Sequence, residues 1–229
     1  MSTLTSIQKH CYAYAHPAVT TDVVIFSIKD AALNVLLIER AAEPFRGRWA
    51  LPGGFVNEDE ALEACAAREL AEETGLRGVY LEQLYTFGDP GRDPRERVIS
   101  VAYYALIPTH RSDLKAATDA AAVAWHRLDA LPALAFDHQR IVELAQQRLA
   151  AKLSYSTIAF QFMPETFTLS ELQTVYEIIS AQPIDKRNFR KWVLGLGRIE
   201  ATGEERRDGQ HRPAKLYRQR FPGKVEYIR

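Results

Sequence analysis

Apolar residues in the first 150 positions fall mainly in continuous runs, a pattern typical of strands that are buried on both faces. Thr21–Lys29 and Leu33–Arg40 are rich in Val, Ile and Leu with little polar interruption, and Asp30–Ala32 forms a turn between them. Three later runs of the same kind predict further strands, at Val79–Phe87, Arg97–Ile107 and Ala121–His126.

Helical periodicity appears twice in the same region. Asp59–Thr74 carries apolar residues at intervals of four, and Gly75 supplies a C-terminal stop. We expect Asn57 to cap this helix and Glu60, three residues later, to complete a capping box. Asp137–Ala151 predicts a second helix. Strands mixed with helices indicate an α/β domain over residues 1–151.

The pattern changes after residue 151. Thr168–Ile179 predicts a short helix, and Pro183 opens a second one that runs to about Leu194. Arg198–Thr202 and Ala214–Gln219 predict a hairpin whose loop contains glycine and proline. Helix, turn, helix and hairpin in this order predict a winged helix-turn-helix domain over residues 152–229.

Charge supports the division into two domains. The chain has 29 basic and 29 acidic residues and therefore no net charge. Residues 1–151 hold 15 Lys/Arg against 20 Asp/Glu, or −5, whereas residues 152–229 hold 14 against 9, or +5. Opposite signs suggest different partners for the two halves. Two cysteines exclude a disulfide framework and a cysteine-based zinc site, and the absence of a long apolar run predicts a cytoplasmic protein with no membrane partner.

An acidic segment carries the strongest indication of chemistry. Glu69, Glu72 and Glu73 are spaced three and four residues apart, so they share one helix face. Carboxylate ligands suit Mg²⁺ or Mn²⁺, which bind phosphate as a further ligand and activate water. We expect Arg68 to orient Glu72. Glu60 is either a fourth metal ligand or simply the capping carboxylate.

The spacing of this segment resembles the Nudix box, G-x5-E-x7-R-E-U-x-E-E-x-G-U with U aliphatic. All positions match, with these residues: Gly54, Glu60, Arg68, Glu69, Leu70, Glu72, Glu73, Gly75 and Leu76. The resemblance implies an α/β/α sandwich that acts on nucleoside diphosphates linked to another group. It also implies that Glu69, Glu72 and Glu73 hold the metal and that, with Arg68, they are the catalytic residues, Glu72 or Glu73 activating the water.

Two flanking segments predict how the ligand binds. Arg46–Val56 is similar to the stretch that leads into the box in Nudix enzymes, and its expected ligand-binding residues are Arg46, Arg48, Gly53, Gly54 and Phe55. A proline about fifteen residues beyond the box, within Phe87–Arg95, resembles the branch that cleaves ADP-ribose. Arg92 and Arg95 are expected to contact phosphate or ribose. We expect His126 and His138 to be structural.

The second helix of the C-terminal domain presents a cationic face. Its expected DNA-binding residues are Lys186, Arg187, Asn188, Arg190 and Lys191, and the hairpin adds Arg206, Arg207, Arg212 and Lys215. A basic helix beside a basic hairpin is the electrostatic pattern of a winged helix on DNA.

This region resembles the winged helix of NrtR proteins, the Nudix-related transcriptional regulators, in three segments: Phe167–Gln173, Asp185–Arg190 and Arg212–Arg218. The resemblance implies a homodimeric repressor of NAD-related metabolism that binds a palindromic operator and releases it when ADP-ribose binds. Many such regulators have a degraded box, whereas this box is intact, which raises the expectation of hydrolysis. Two alternatives stay open: a Mg²⁺-dependent ADP-ribose pyrophosphatase, and a regulator that responds to a sugar.

Overall fold

The computed structural model describes residues 13–108, 122–207 and 213–228. Within these ranges the chain forms nine strands and four α-helices. The strands are β1 Ala18–Lys29, β2 Ala32–Glu39, β3 Trp49–Ala50, β4 Gly53–Phe55, β5 Tyr80–Phe87, β6 Val98–Ile107, β7 Ala122–Arg127, β8 Ile199–Arg206 and β9 Ala214–Gln219. The helices are α1 Leu62–Thr74, α2 His138–Lys152, α3 Leu169–Ser180 and α4 Lys186–Gly195.

Seven of the strands form one mixed sheet with β1 at its centre. Strand β1 pairs in parallel with β6 and antiparallel with β2 and β4, and β5 forms an edge beside β6. Alternate β1 residues face opposite sides: Val23 and Ile25 pack in a cluster with Leu70 of α1, whereas Val24 and Phe26 pack in one with α2. This arrangement is the predicted α/β/α sandwich.

The C-terminal part is the predicted winged helix. Helix α3 buries the apolar side chains Leu172, Val175, Tyr176 and Ile179, and α4 buries Phe189 and Val193 against it. Strands β8 and β9 form the antiparallel hairpin. Phe167, just before α3, exchanges two backbone hydrogen bonds with Tyr217 of β9, at 2.8 and 2.9 Å. These bonds connect the start of α3 to the hairpin.

The structure corrects two predicted helix starts. Helix α1 begins at Leu62, and its N-cap residue Ala61 makes no side-chain cap, so Asn57 does not cap the helix and the predicted capping box is wrong. The Asn57–Glu60 contact exists, but it closes a turn before the helix. Helix α4 begins at Lys186 rather than at Pro183, because the Asp185 carboxylate caps it by accepting from the Asn188 N–H.

The two parts share one apolar core. A cluster of buried side chains runs from Val24 on β1 through Leu149 on α2 and Phe162 in a short 3-10 turn to Val193 on α4. The predicted boundary after residue 151 falls in the last turn of α2, which ends at Lys152. None of the helices in the described residues is long and apolar enough to cross a membrane. The predicted strand start Ala121 and the predicted DNA contact Arg212 lie outside the described residues.

Candidate functional site

A cavity of about 230 Å³ opens where β1, β4 and the first turn of α2 meet beside α1. Six of its fourteen lining residues carry charged side chains, and the lining combines buried positions such as Leu51 with exposed ones such as Phe55. The lining residues are Thr20, Asp22, Ile38, Arg40, Leu51, Gly53, Gly54, Phe55, Glu73, Arg92, Asp93, Arg95, Phe136 and His138. Predicted ligand-binding residues from two separate segments, Gly53–Phe55 and Arg92–Arg95, therefore meet in one cavity.

Strand β4 lies close to β1 at Gly53 and to the acidic helix at Gly54. A Cβ atom at Gly54 would lie 2.3 Å from Oε1 of Glu69, and one at Gly53 would lie 2.2 Å from the Thr21 carbonyl oxygen. The Gly53 N–H donates to Oε2 of Glu73 at 2.9 Å. Two of the three predicted metal carboxylates thus lie directly against the backbone of the cavity.

Burial makes these carboxylates resist ionisation. Desolvation is the main cause that raises the pKa of Glu73 to about 8, and the nearby charges of Glu69 and Asp22 add to it. Burial also raises the pKa of Glu69. A divalent cation would neutralise this all-oxygen set, so its chemistry fits Mg²⁺ or Mn²⁺. Among the described residues, however, no three acidic, histidine or cysteine side chains already converge at metal-binding distance.

Arg68 is the centre of an ion-pair network on the same helix. Its guanidinium contacts Glu60 at 2.8 Å, Glu69 at 2.7 Å and Glu72 at 3.1 Å. The hydrogen bond from Arg68 is the main cause that lowers the pKa of Glu60 to about 2. Arg68 therefore holds Glu60 and Glu69 as well as the expected Glu72, whose side chain is 58% exposed. Glu60 in this structure is a partner of Arg68.

The two arginines of the 87–95 segment differ in their surroundings. The Arg92 side chain is only 4% exposed and bridges Asp137, at 2.6 Å, and Asp22, at 3.2 Å. Arg95 pairs with Asp93 at 2.6 Å, and its guanidinium lies over the Phe55 ring with 5.3 Å to the ring centre. Arg92 thus joins β1 to α2, whereas Arg95 stands at the half-exposed mouth of the cavity.

Several cavity residues were missing from the sequence prediction. Asp22 is a charged residue inside an apolar strand, and this interruption of the apolar pattern could have indicated a functional role. No comparable feature of the sequence marks Arg40, Phe136 or Asp93 as cavity residues. His138, expected to be structural, is buried: its Nδ1 accepts from the Leu51 N–H at 2.9 Å, and its Nε2 lies 3.5 Å from Asp22.

The predicted ligand contacts Arg46 and Arg48 are both exposed and do not line the cavity. Arg48 lies instead over the Phe45 ring, with 5.6 Å to the ring centre.

A second surface is formed by α4 and the hairpin. All five predicted residues of α4 are exposed: Lys186, Arg187, Asn188, Arg190 and Lys191. Lys186 and Arg190 border a groove of about 790 Å³ together with Lys215 of β9 and Ser170 at the start of α3. Burial of Phe189 on the opposite face of α4 leaves these cations directed outward.

The other hairpin cations are partly committed to ion pairs. Arg206 pairs with Glu171, the acidic residue of the α3 capping box. Arg218 pairs with Glu200 at 2.7 Å. Arg207 is exposed at the end of the described part of the hairpin. The strongest concentration of accessible cations is therefore on α4, with Lys215 beside it.

Two family models match the chain in tandem. The NUDIX domain model matches residues 16–145, and the model described as the NrtR DNA-binding winged helix domain matches residues 159–219. The first contains the cavity and the acidic helix, and the second contains α4 and the hairpin.

Relatives and solved structures match over both parts. The ADPR responsive transcriptional repressor NtrR of Acinetobacter baylyi is 38% identical, covering 94% of this chain and 90% of that protein. The crystal structure of Shewanella oneidensis NrtR with a 27mer DNA is 38% identical, with a TM-score of 0.78 over 88% of this chain and 93% of that one.

The N-terminal part has further matches of its own. The NUDIX domain of the same Shewanella protein, solved with ADP ribose, has a TM-score of 0.56 at 38% identity, covering 62% of this chain and 94% of that one. An ADP-ribose pyrophosphatase of Methanocaldococcus jannaschii is 41% identical over 57% of this chain and 73% of that protein.

Proposed function

The chain belongs to the NrtR family of Nudix-related transcriptional regulators, and from this premise we propose that it is an ADP-ribose-responsive repressor. One observation carries the proposal: a single chain places five exposed polar and cationic side chains on α4 and, in its N-terminal part, a charged cavity beside a carboxylate helix. The first surface suits a DNA duplex, and the second suits a phosphorylated ligand.

On DNA, α4 enters the major groove and the hairpin contacts the backbone. Lys186, Arg190 and Lys215 line one groove and therefore reach the same stretch of phosphates. A single short helix reads few bases, so a homodimer on a palindromic operator supplies the specificity.

In the cavity, backbone and arginines provide the ligand contacts. Gly53 and Gly54 let the main chain approach a pyrophosphate, and Arg95 offers a guanidinium at the mouth. The ligand is ADP-ribose, as in the relative solved with it. NAD-related genes would then be the regulated set, since ADP-ribose is a product of NAD breakdown.

The repressor proposal is tested with DNA duplexes selected from a random pool by the wild-type chain. We expect the affinity to fall steeply with salt, because cation–phosphate contacts release counterions, and to fall when ADP-ribose is added. Arg190→Ala should weaken binding and reduce the salt slope by about one. Arg127→Ala removes an exposed cation of the N-terminal domain and is the matched control. Selection that enriches no sequence, or duplexes that ADP-ribose does not release, would refute the proposal.

The proposed homodimer is tested by a separate measurement of the oligomeric state. Light scattering of the protein with and without a selected duplex should give two chains in both cases. Selected sequences should be palindromic. A monomer bound to a single half-site would contradict the dimer, although not the repressor.

Hydrolysis is a second activity that the site favours, because the box is intact and Glu69 and Glu73 lie against the glycines of the cavity. Nudix hydrolases generally use a divalent metal such as Mg²⁺. When bound, the metal neutralises the pyrophosphate and lowers the pKa of an attacking water. The carboxylates of Glu69, Glu73 and the more exposed Glu72 would hold the metal. Arg68 would keep the carboxylates of Glu60 and Glu69 oriented.

We expect Mg²⁺-dependent release of AMP and ribose 5-phosphate from ADP-ribose, measured by chromatography. Glu73→Gln should reduce turnover by at least about a hundredfold, the scale of losing a group that acts in proton transfer or charge stabilisation. Glu63→Gln, an exposed residue of the same helix, is the control. Unchanged turnover in Glu73→Gln would refute the assignment. A thermal-shift comparison of ADP-ribose with sugars and sugar phosphates tests the sugar alternative, which predicts stabilisation by the sugars only.

A further inference from the structure

Helix α2 begins at the ligand cavity. Asp137, its N-cap residue, accepts from Arg92 at 2.6 and 3.0 Å, and Arg92 lines the cavity. His138, the first helical residue, accepts from the Leu51 N–H and lies 3.5 Å from Asp22. A ligand that competes for Arg92 or Asp22 therefore acts directly on the first turn of α2.

The same helix is long and rigidly packed. Its 15 residues span about 22 Å at 1.5 Å per residue. Ile141, Ala145 and Leu149 are fully buried along one face. Because close-packed interiors transmit displacements rather than absorb them, a shift at the first turn is carried to the last.

The far end of α2 is fixed by an ion pair. Lys152, 4% exposed, places its Nζ 2.6 and 2.7 Å from the two carboxylate oxygens of Glu82 on β5. The Tyr80 hydroxyl also donates to Glu82, and the Lys152 carbonyl accepts from the Ser156 hydroxyl at 2.7 Å. The last turn of α2 is thereby held to the edge strand of the sheet.

Beyond this ion pair, the end of α2 and the helix that carries the cations border the same groove. Ala150 and Leu153 border an open apolar groove of about 440 Å³ together with Phe189 and Trp192 of α4. Trp192 is 38% exposed and packs against Tyr176 with 5.4 Å between ring centres. The groove leaves space into which these side chains can move when the last turn of α2 is displaced.

We propose that α2 is the element that carries ligand occupancy from the cavity to α4, and that Lys152 is a positioning residue that makes its far end a pivot on β5. The proposal rests on the proposed ADP-ribose-responsive repression and assigns that response to named contacts. With the pivot intact, a shift at Asp137 rotates α2 and moves Leu153 against α4. Without the Lys152–Glu82 ion pair, the last turn of α2 moves freely relative to β5, and ADP-ribose and DNA bind independently of each other.

The test uses Lys152→Met combined with Glu82→Gln in the full-length chain. Removing one partner alone would leave a buried charge, whereas replacing both keeps the volume and an acceptor for Tyr80. The control, Arg127→Met with Asp129→Asn, removes an exposed arginine–aspartate ion pair of the N-terminal part. Calorimetry gives the ADP-ribose affinity, and titration with selected duplexes gives the DNA affinity with and without ADP-ribose.

In the wild type and in the control, saturating ADP-ribose should weaken DNA binding by about 5- to 150-fold, the usual range of coupling between two sites. In the double variant each ligand alone should bind within about threefold of wild type, while the coupling falls below about threefold. Full coupling in the double variant would overturn the pivot. Absent coupling in the wild type would instead overturn the proposed function.

Hydrogen exchange on the wild-type protein gives a second test that does not depend on a variant. Adding ADP-ribose should change amide protection in the last turn of α2 and in α4, but not in the β8–β9 hairpin strands. Unchanged protection in α2 and α4, in a sample where ADP-ribose does release the duplex, would overturn the proposal.

Discussion

Gly53→Ala should destabilise the protein by separating two strands. The added Cβ would lie 2.2 Å from the Thr21 carbonyl oxygen, whereas a C–H···O contact needs about 3.3 Å, so β4 must move by about 1 Å from β1. Overpacking of this kind costs about 1–3 kcal/mol. The movement also lengthens the hydrogen bond from the Gly53 N–H to Glu73, worth about 1 kcal/mol more. The total is on the order of 3 kcal/mol.

For a chain of this size, about 3 kcal/mol lowers the melting temperature by about 6–12 °C, which calorimetry or circular dichroism measures directly. ADP-ribose affinity should fall with it, since the moved strand lines the cavity. Gly88→Ala is the matched control, because its Cβ would meet its nearest atom at 3.8 Å. A Gly53→Ala protein that melts within about 2 °C of wild type would refute the argument that backbone contact requires glycine here.

Three further predictions concern Gly54, Glu73 and Tyr176. In Gly54→Ala the new Cβ meets the movable Glu69 carboxylate at 2.3 Å, so the melting temperature should change little, while the stabilisation by Mg²⁺ should be lost; retained Mg²⁺ stabilisation would count against Glu69 as a ligand. Because the pKa of Glu73 is raised from 4.5 to about 8, the folded state binds more protons than the unfolded one between these values. The metal-free protein should therefore lose stability as pH rises from about 5 to about 9, and a Glu73→Gln melt series with the same slope would contradict this. Tyr176→Phe removes a buried hydroxyl with no hydrogen-bond partner in the described part of the chain and should raise the urea-unfolding free energy by about 1 kcal/mol; a loss instead would indicate an unseen partner.

Local patterns made most elements predictable. The winged helix and the long strands follow from periodicity and turn residues, and the αL conformation of Gly75 ends α1 as its position suggests. Strands β3 and β4 have two and three residues, too few to show a period. The sequence predicts too early a start for α1, because Asn57 and Glu60 have the spacing of a capping box although their contact closes the turn before the helix.

The site was predictable where it is local and not where it is assembled across the chain. Glu69 and Glu73 share a helix face by spacing alone. The sequence predicts Arg92 as a ligand contact, and its place in the cavity lining is compatible with this prediction. The carboxylate partners Asp137 and Asp22 are not predictable in the same way, because they lie 45 and 70 residues away in sequence. Only the parallel pairing of β1 with β6 and the docking of α2 bring these three side chains together.

The outward cations of α4 belong to a chain whose total charge is zero. A distant DNA duplex therefore exerts almost no net electrostatic force on the molecule. It does exert a torque, since DNA repels the acidic N-terminal part and attracts the basic C-terminal part. Screening confines this torque to about 8 Å at physiological salt. The approach to DNA is thus governed by diffusion until the last nanometre. There the electrostatic field of the phosphates rotates the molecule so that α4 faces the DNA before contact.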